Sequence, residues 1–196
     1  MIMPDKYDNF KKLQENEAGN FEIECIDRGS HITIIAPHGG KIERKTTKIA
    51  KRIAGDSLNY YSFIGKKNSY NRDLHITSHK FDEPRALELV VKSEIIITIH
   101  GCANKWSKID DNREIFIGGL DEGLISKFKD AMKDEFLPIS FLKKFSGTEK
   151  KNICNRGING KGVQFELTKA FREDVQLTNE FISNVRTCLE KFEKKS

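Results

Sequence analysis

The chain has 196 residues, 32% of them charged and 37% hydrophobic, with a formal net charge of +5, a size that suits one domain, residues 1–196, with its own core. No apolar run approaches the ~18 residues of a membrane span, and the charged start at Asp5 and Lys6 lacks the apolar stretch of a secretory signal. Four scattered cysteines, Cys25, Cys102, Cys154 and Cys188, show no paired spacing and fit a reducing compartment better than a disulfide frame.

In chain order, Phe21, Ile23 and Cys25 alternate as a half-buried strand does, and Ile32 to Ala36 is a continuous apolar run that reads as a buried strand. That run stops at Pro37 and is followed by His38, Gly39 and Gly40, which reads as a tight turn. A helix is expected from Ile42 to Ala54, with Ile42, Ile49 and Ile53 on one face and Gly55 as its stop signal. Strands follow at about Leu58–Ile64 and Leu74–Thr77. Asp82, Glu83 and Pro84 open a helix through Val91, with acids and proline in its first turn.

The β-branched run Ile95–Ile99 is the next strand and ends on His100. A polar loop leads to a shorter strand at Glu114–Ile117, and Asp121 caps a helix with Leu124, Ile125, Phe128, Met132 and Phe136 on one stripe. Val163–Leu167 is a late strand, and a long helix from about Arg172 buries Leu177, Phe181, Ile182, Val185, Cys188 and Leu189. The terminal Lys191-Phe192-Glu193-Lys194-Lys195 reads as a solvated tail. The alternation predicts an α/β sandwich with helices on both faces of a central sheet. Sites in such folds lie beyond the carboxyl ends of strands, where His38 and His100 fall.

Two apolar runs that each deliver an imidazole at the same kind of chain position, with Glu43 nearby, match the His, His and carboxylate set of a catalytic zinc with one open position. On the residues alone a second reading stands, with His38 as a polar loop residue and Glu43 as an acid at a helix start. His31, His75 and His79 compete as ligands or substrate contacts, and Cys102 reads as a small buried residue. In Val163–Leu167, alternation puts Gln164 and Glu166 on one face. Glu166 then either takes a proton from an attacking water or faces solvent on an edge strand. Arg156, in a glycine-rich loop, either grips a carboxylate through its fork or is a surface residue.

Pro37-His38-Gly39-Gly40-Lys41-Ile42-Glu43, Thr98-Ile99-His100-Gly101 and Gly162-Val163-Gln164-Phe165-Glu166-Leu167 together resemble the phage-type poly-γ-glutamate hydrolases. Leu74–Ser78 and Phe81–Pro84 look like that family's connecting segment. The resemblance implies a single-domain three-layer α/β/α sandwich with a mixed central sheet, related to the zinc carboxypeptidases and aspartoacylase. It implies zinc held by His38, Glu43 and His100, Glu166 as general base and then general acid, and Arg156 as the holder of a substrate carboxylate. Four residues separate His38 from Glu43 where the classical carboxypeptidases have two, and no tyrosine matches the one lining their pocket.

The expected function is zinc-dependent hydrolysis of γ-glutamyl amide bonds in poly-γ-glutamate, an anionic substrate that suits the positive net charge. The alternatives are a zinc-dependent deacylase or carboxypeptidase acting on small N-acyl acidic amino acids, and a non-catalytic polyanion-binding module. No nucleic-acid motif supports the last. The expected protein is a monomer with no membrane or nucleic-acid partner, made in the cytoplasm and released by lysis if it acts outside the cell.

Overall fold

A computed structural model describes residues 4–134 and 137–193; Phe136, Lys194 and Lys195 lie outside the described residues. The elements run α1 (Phe10–Glu17), β1 (Phe21–Ile26), β2 (Ile32–Gly40), α2 (Thr46–Ala54), β3 (Asn59–Gly65), α3 (Pro84–Val90), β4 (Ile95–Cys102), β5 (Ile115–Gly119), α4 (Glu122–Asp134), β6 (Ile139–Ser140), β7 (Val163–Thr168), α5 (Lys169–Glu173) and α6 (Val175–Glu193). The strands form one seven-stranded sheet in the order β1-β3-β2-β4-β7-β5-β6. β3, β2, β4 and β7 are mutually parallel, as are β5 and β6, whereas β1 on β3 and β5 on β7 are antiparallel.

Both faces of this mixed sheet are covered. On one, Ile49 and Ile53 of α2, Phe128 of α4 and Phe181 of α6 join a core with Ile34, Ile97 and Phe165. On the other, Leu13 of α1 and Leu89 of α3 pack with Ile35, Phe63 and Ile96. Strands covered on both faces have no solvent side to keep polar, which is why β2 and β4 read as continuous apolar runs. The result is the expected three-layer α/β/α sandwich.

Four local expectations are corrected. β2 does not stop at Pro37 but runs through His38 to Gly40. Its ladder with β4 covers only Ile32–Ile35, and its ladder with β3 breaks between Ala36 and Gly39 before resuming. Pro37 therefore sits where no ladder hydrogen bond is required, and the strand tolerates it as a bulge. A Cβ on Gly39 would collide with the Thr47 and Ser62 hydroxyls, and Gly40 has φ of 64°, so glycine is required at this step.

The helix expected from Ile42 begins only at Thr46, after Lys45 at φ 75°, because residues 41–45 turn back toward the sheet. The Leu74–Thr77 stretch is not a strand: a 3₁₀ turn at Asn71–Leu74 leads into irregular chain. With β1 already on the outer edge of β3, the segment buries Leu74 and Ile76 in the α1/α3 core instead. The last helix is two helices, α5 and α6, separated at Asp174, whose carboxylate accepts from the Leu177 N–H at 3.0 Å as an N-cap. α1, which was not expected, is capped by Asn9 accepting from the Lys12 N–H at 2.9 Å.

Glu17 ties α1 to the segment after β3. Its buried carboxylate accepts from Tyr7 Oη at 2.8 Å, Asn20 Nδ2 at 2.9 Å, and the amines of Lys6 and Lys67 at 3.1 Å. Burial pushes this carboxyl up, but the bonds from Tyr7, Lys67 and Lys6 outweigh it and hold the pKa at about 2. An acid whose folded pKa is depressed stabilises the fold above its unfolded pKa, and that contribution fades as pH falls toward the folded value. Glu17→Gln is expected to cost about 1–3 kcal/mol near pH 7. In urea unfolding it also flattens the stability loss between pH 4.5 and pH of about 2.

Candidate metal centre

β2 and β4 are parallel neighbours, so their carboxyl ends open on the same edge of the sheet, and the side chains of His38 and His100 are each only 2% exposed there. The turn after β2 folds Glu43 back against both. Its N–H donates to the His38 carbonyl at 2.9 Å, and its Oε2 accepts from the Gly101 N–H at 2.8 Å. Glu43 Oε1 is then 3.2 Å from His38 Nδ1, and Oε2 is 3.7 Å from His100 Nδ1. The two Nδ1 atoms are themselves 3.2 Å apart.

The outer partners orient both rings. His38 Nε2 lies 2.7 Å from the Ile76 carbonyl; a carbonyl only accepts, so Nε2 carries a hydrogen and Nδ1 is the nitrogen turned toward the cluster. His100 Nε2 faces Ser78 Oγ at 3.4 Å, again leaving Nδ1 inward. Burial lowers the His100 pKa to about 3 despite the Glu43 charge, so this ring is neutral. Burial alone would raise the Glu43 carboxyl, but His38, with His100 and His75 behind it, holds it below its ordinary value.

Two imidazole nitrogens and a carboxylate facing one another can hold a cation between them. The separations suit one: ligands bonded at about 2.0–2.1 Å to a tetrahedral ion lie about 3.3 Å apart. The donor set also has the neutral-nitrogen, anionic-oxygen chemistry of a divalent ion site.

His75 is the competing ligand. Atoms of His38, Glu43 and His75 lie within 4.8 Å of one another, and Asp5 accepts from His75 Nδ1 at 2.7 Å, leaving Nε2 4.0 Å from Glu43 Oε1. However, its ring stacks on His38, with centroids 3.9 Å apart and planes 25° from parallel. Imidazole lone pairs lie in the ring plane, so stacked rings cannot aim both at one ion. The His100 ring, tilted 55° from His38, can.

Glu166 joins the same edge. β4 and β7 pair in parallel with His100 opposite Glu166, so both side chains leave the same face. Burial, then the Glu43 charge, pushes the Glu166 carboxyl well above its usual range, with Arg172 and Lys144 opposing. β7 is an interior strand flanked by β4 and β5, so the edge-strand alternative is excluded. Gln164 on the same face is buried and held by Asn152 Nδ2 at 2.8 Å and the Phe145 carbonyl at 3.0 Å.

Arg156 has a different geometry from the one expected. Nε donates to the Lys151 carbonyl at 2.6 Å, Nη1 to Phe81 at 2.8 Å and Nη2 to His79 at 3.1 Å. The fork clamps the loop that carries Ser78 and presents no open bidentate edge for a carboxylate. His79 is exposed and His31 precedes β2. Burial and the Glu166 charge push the Cys102 thiol up, consistent with an inert buried residue. Two participants escaped the sequence reading, Asp5 and Arg172. Asp5 lies 70 positions from the His75 it orients, and Arg172 looks like an ordinary helix cation; neither leaves a local signal.

The family model for poly-gamma-glutamate hydrolase matches residues 7–194. The chain belongs to that family. Among curated relatives, the SPbeta prophage-derived protein YoqZ of Bacillus subtilis (strain 168) is 32% identical over 179 residues, 89% of this chain and 63% of YoqZ. YndL of the same organism is 31% identical over 175 residues, 87% of this chain and 67% of that protein. The chain thus spans about two thirds of their length. A bacteriophage poly-gamma-glutamate hydrolase structure superposes with a TM-score of 0.89 at 25% identity, covering 98% of this chain and 100% of that one. A zinc-free apo form of YndL gives 0.88 at 27%, covering 96% and 99%. An N-formylglutamate amidohydrolase from Ralstonia eutropha JMP134, at 0.61 and 8% identity over 90% of this chain and 99% of that one, shares the fold alone.

A divalent transition-metal ion at a thousandfold excess over its Kd is expected to stabilise the protein by about 4 kcal/mol, a rise in Tm of about 10 °C for a chain of this size. His100→Ala should abolish the rise and His79→Ala should keep it, read by thermal melts with and without chelator. If His75→Ala removes the rise and His100→Ala does not, the ligand set is the stacked one.

Proposed function

We propose that this chain is a zinc-dependent hydrolase that cleaves γ-glutamyl amide bonds of poly-γ-glutamate. The observation that carries the proposal is the convergence of His38, Glu43 and His100 at the edge where β7 delivers Glu166, in a chain of this family. Zinc held by those three residues supplies a Lewis acid for the scissile carbonyl and a lowered pKa for water.

The remaining work falls to the protein. Glu43 balances part of the ion's charge and is locked in place by the Gly101 N–H. The Ile76 carbonyl puts a hydrogen on His38 Nε2 and the Ser78 hydroxyl orients the His100 ring, the kind of outer support whose loss weakens metal binding about 10–100-fold. Arg156 braces the loop that holds Ser78. Glu166 sits beside His100, and a cation at the cluster offsets the Glu43 charge that raises its carboxyl, bringing it toward the range a general base needs. Glu166 takes a proton from the attacking water and returns it to the departing α-amine as the amide C–N bond breaks, leaving a γ-carboxylate on the other fragment.

Glu166→Gln is expected to lower kcat on poly-γ-glutamate by about 100-fold or more while zinc content stays at one per chain, measured by chain length on gels beside metal analysis. Chelated protein should leave the polymer intact and recover on adding zinc back. Near-normal turnover by Glu166→Gln, or cleavage by metal-free protein, would sink this reading.

A further inference from the structure

The turn from β2 to α2, the end of β4 and the start of α5 line an open cavity of about 490 Å³ beside Glu43. Five cations border it: Lys41, Arg44, Lys45, Lys169 and Arg172. Of the acids on its wall, Glu43 faces the two histidines, and Glu173 pairs with one of these cations, Lys169, at 3.8 Å. Among the described residues, no carboxylate lies within ion-pair reach of Lys41, Arg44, Lys45 or Arg172.

Arg172 is the unusual member. It is only 7% exposed, and its nitrogens donate to the carbonyls of Leu167 at 3.1 Å, Cys102 at 3.2 Å and Arg44. A buried guanidinium stays charged, and with carbonyl partners but no carboxylate in direct contact it places a positive charge at the cavity wall that Glu43, Glu166 and Glu173 offset only from a distance. The backbone is shaped around it: a Cβ on Gly101 would lie 2.7 Å from the guanidinium carbon. Arg172 also braces the turn that carries Glu43, through the Arg44 carbonyl. The next residue, Lys45, is held at φ 75° and ψ −12°, a left-handed conformation that a non-glycine residue keeps only when its surroundings impose it.

We propose that this cavity is a carboxylate subsite, contiguous with the metal centre, that takes the free α-carboxylate flanking the scissile γ-glutamyl amide. Arg44 and Lys45 contact the carboxylate, and Arg172 supplies the buried charge behind them. The inference rests on the hydrolase reading above and deepens it into a rule of linkage. In a γ-linked chain a free carboxylate sits on the carbon bonded to the amide nitrogen, so an anion held beside Glu43 sets the amide against the metal centre. In an α-linked chain every carboxylate lies at the end of a flexible side chain, and the same anchor leaves the amide out of register.

The test measures equilibrium binding to zinc-loaded Glu166→Gln protein, so that turnover does not intervene. The probes are a γ-linked glutamate oligomer, the same oligomer with its carboxylates amidated, and an α-linked oligomer. The double variant Arg44→Gln, Lys45→Asn removes two exposed cations while asparagine tolerates the left-handed backbone; Lys129→Ala, Lys133→Ala on α4 matches the charge change at a distance. We expect the first pair to weaken binding of the γ-linked oligomer at least tenfold, the control pair to leave it unchanged, and the amidated oligomer to bind all forms equally weakly. Unchanged binding by the Arg44, Lys45 variant, or equal affinity of its parent for charged and amidated oligomers, overturns the subsite. A wild-type protein that shows this binding pattern but leaves the polymer uncut overturns the hydrolase reading instead.

Discussion

The carboxylate of Glu43 is the interaction on which the rest of this site depends. It faces imidazoles from two parallel strands and is pinned by the backbone N–H of Gly101, so one side chain joins the end of β2, the end of β4 and the turn between β2 and α2. The two Nδ1 atoms lie 3.2 Å apart, and the two Glu43 oxygens lie 3.2 and 3.7 Å from them, an arrangement that suits a positive charge among them. Outside the cluster, the Ile76 carbonyl and the Ser78 hydroxyl face the two Nε2 atoms, so both Nδ1 atoms are turned inward.

The same carboxylate links the two halves of the proposed chemistry. Its charge helps hold Glu166 in the protonated form, so cation binding at the cluster and readiness of Glu166 as a base are coupled by electrostatics, without any movement of the chain. Its turn also carries Arg44 and Lys45 into the neighbouring cavity. The proposed metal, base and anion sites are arranged around one short loop between β2 and α2, and Arg172 supports that loop from α5.

This explains where the chain departs from simple element rules. Pro37, Gly39, Gly40 and Lys45 each depart from regular strand or helix geometry, and they fall within nine consecutive positions around His38 and Glu43. A regular strand would carry His38 past the sheet edge, and a helix beginning at Ile42 would point Glu43 away from the histidines. Irregular backbone here brings the five-residue step from His38 to Glu43 onto a single point.

The layers, the buried central strands, and the candidates His38, Glu43, His100 and Glu166 were legible in the sequence by itself, because apolar periodicity records burial and a strand's end records where a site can form. Only the tertiary structure shows how two further histidines stand against His38, His75 stacked on its ring and His100 tilted against it. His75 and His100 are both close, and ring orientation, set by Asp5 and Ser78 from distant parts of the chain, separates them. Glu166 could not be told from an edge residue until β5 was seen to pair beyond β7, since strand order is a long-range property. Arg156 and Arg172 exchanged significance for the same reason: a cation's role depends on which carbonyls and cavities surround it, and those neighbours come from residues as much as 128 positions away.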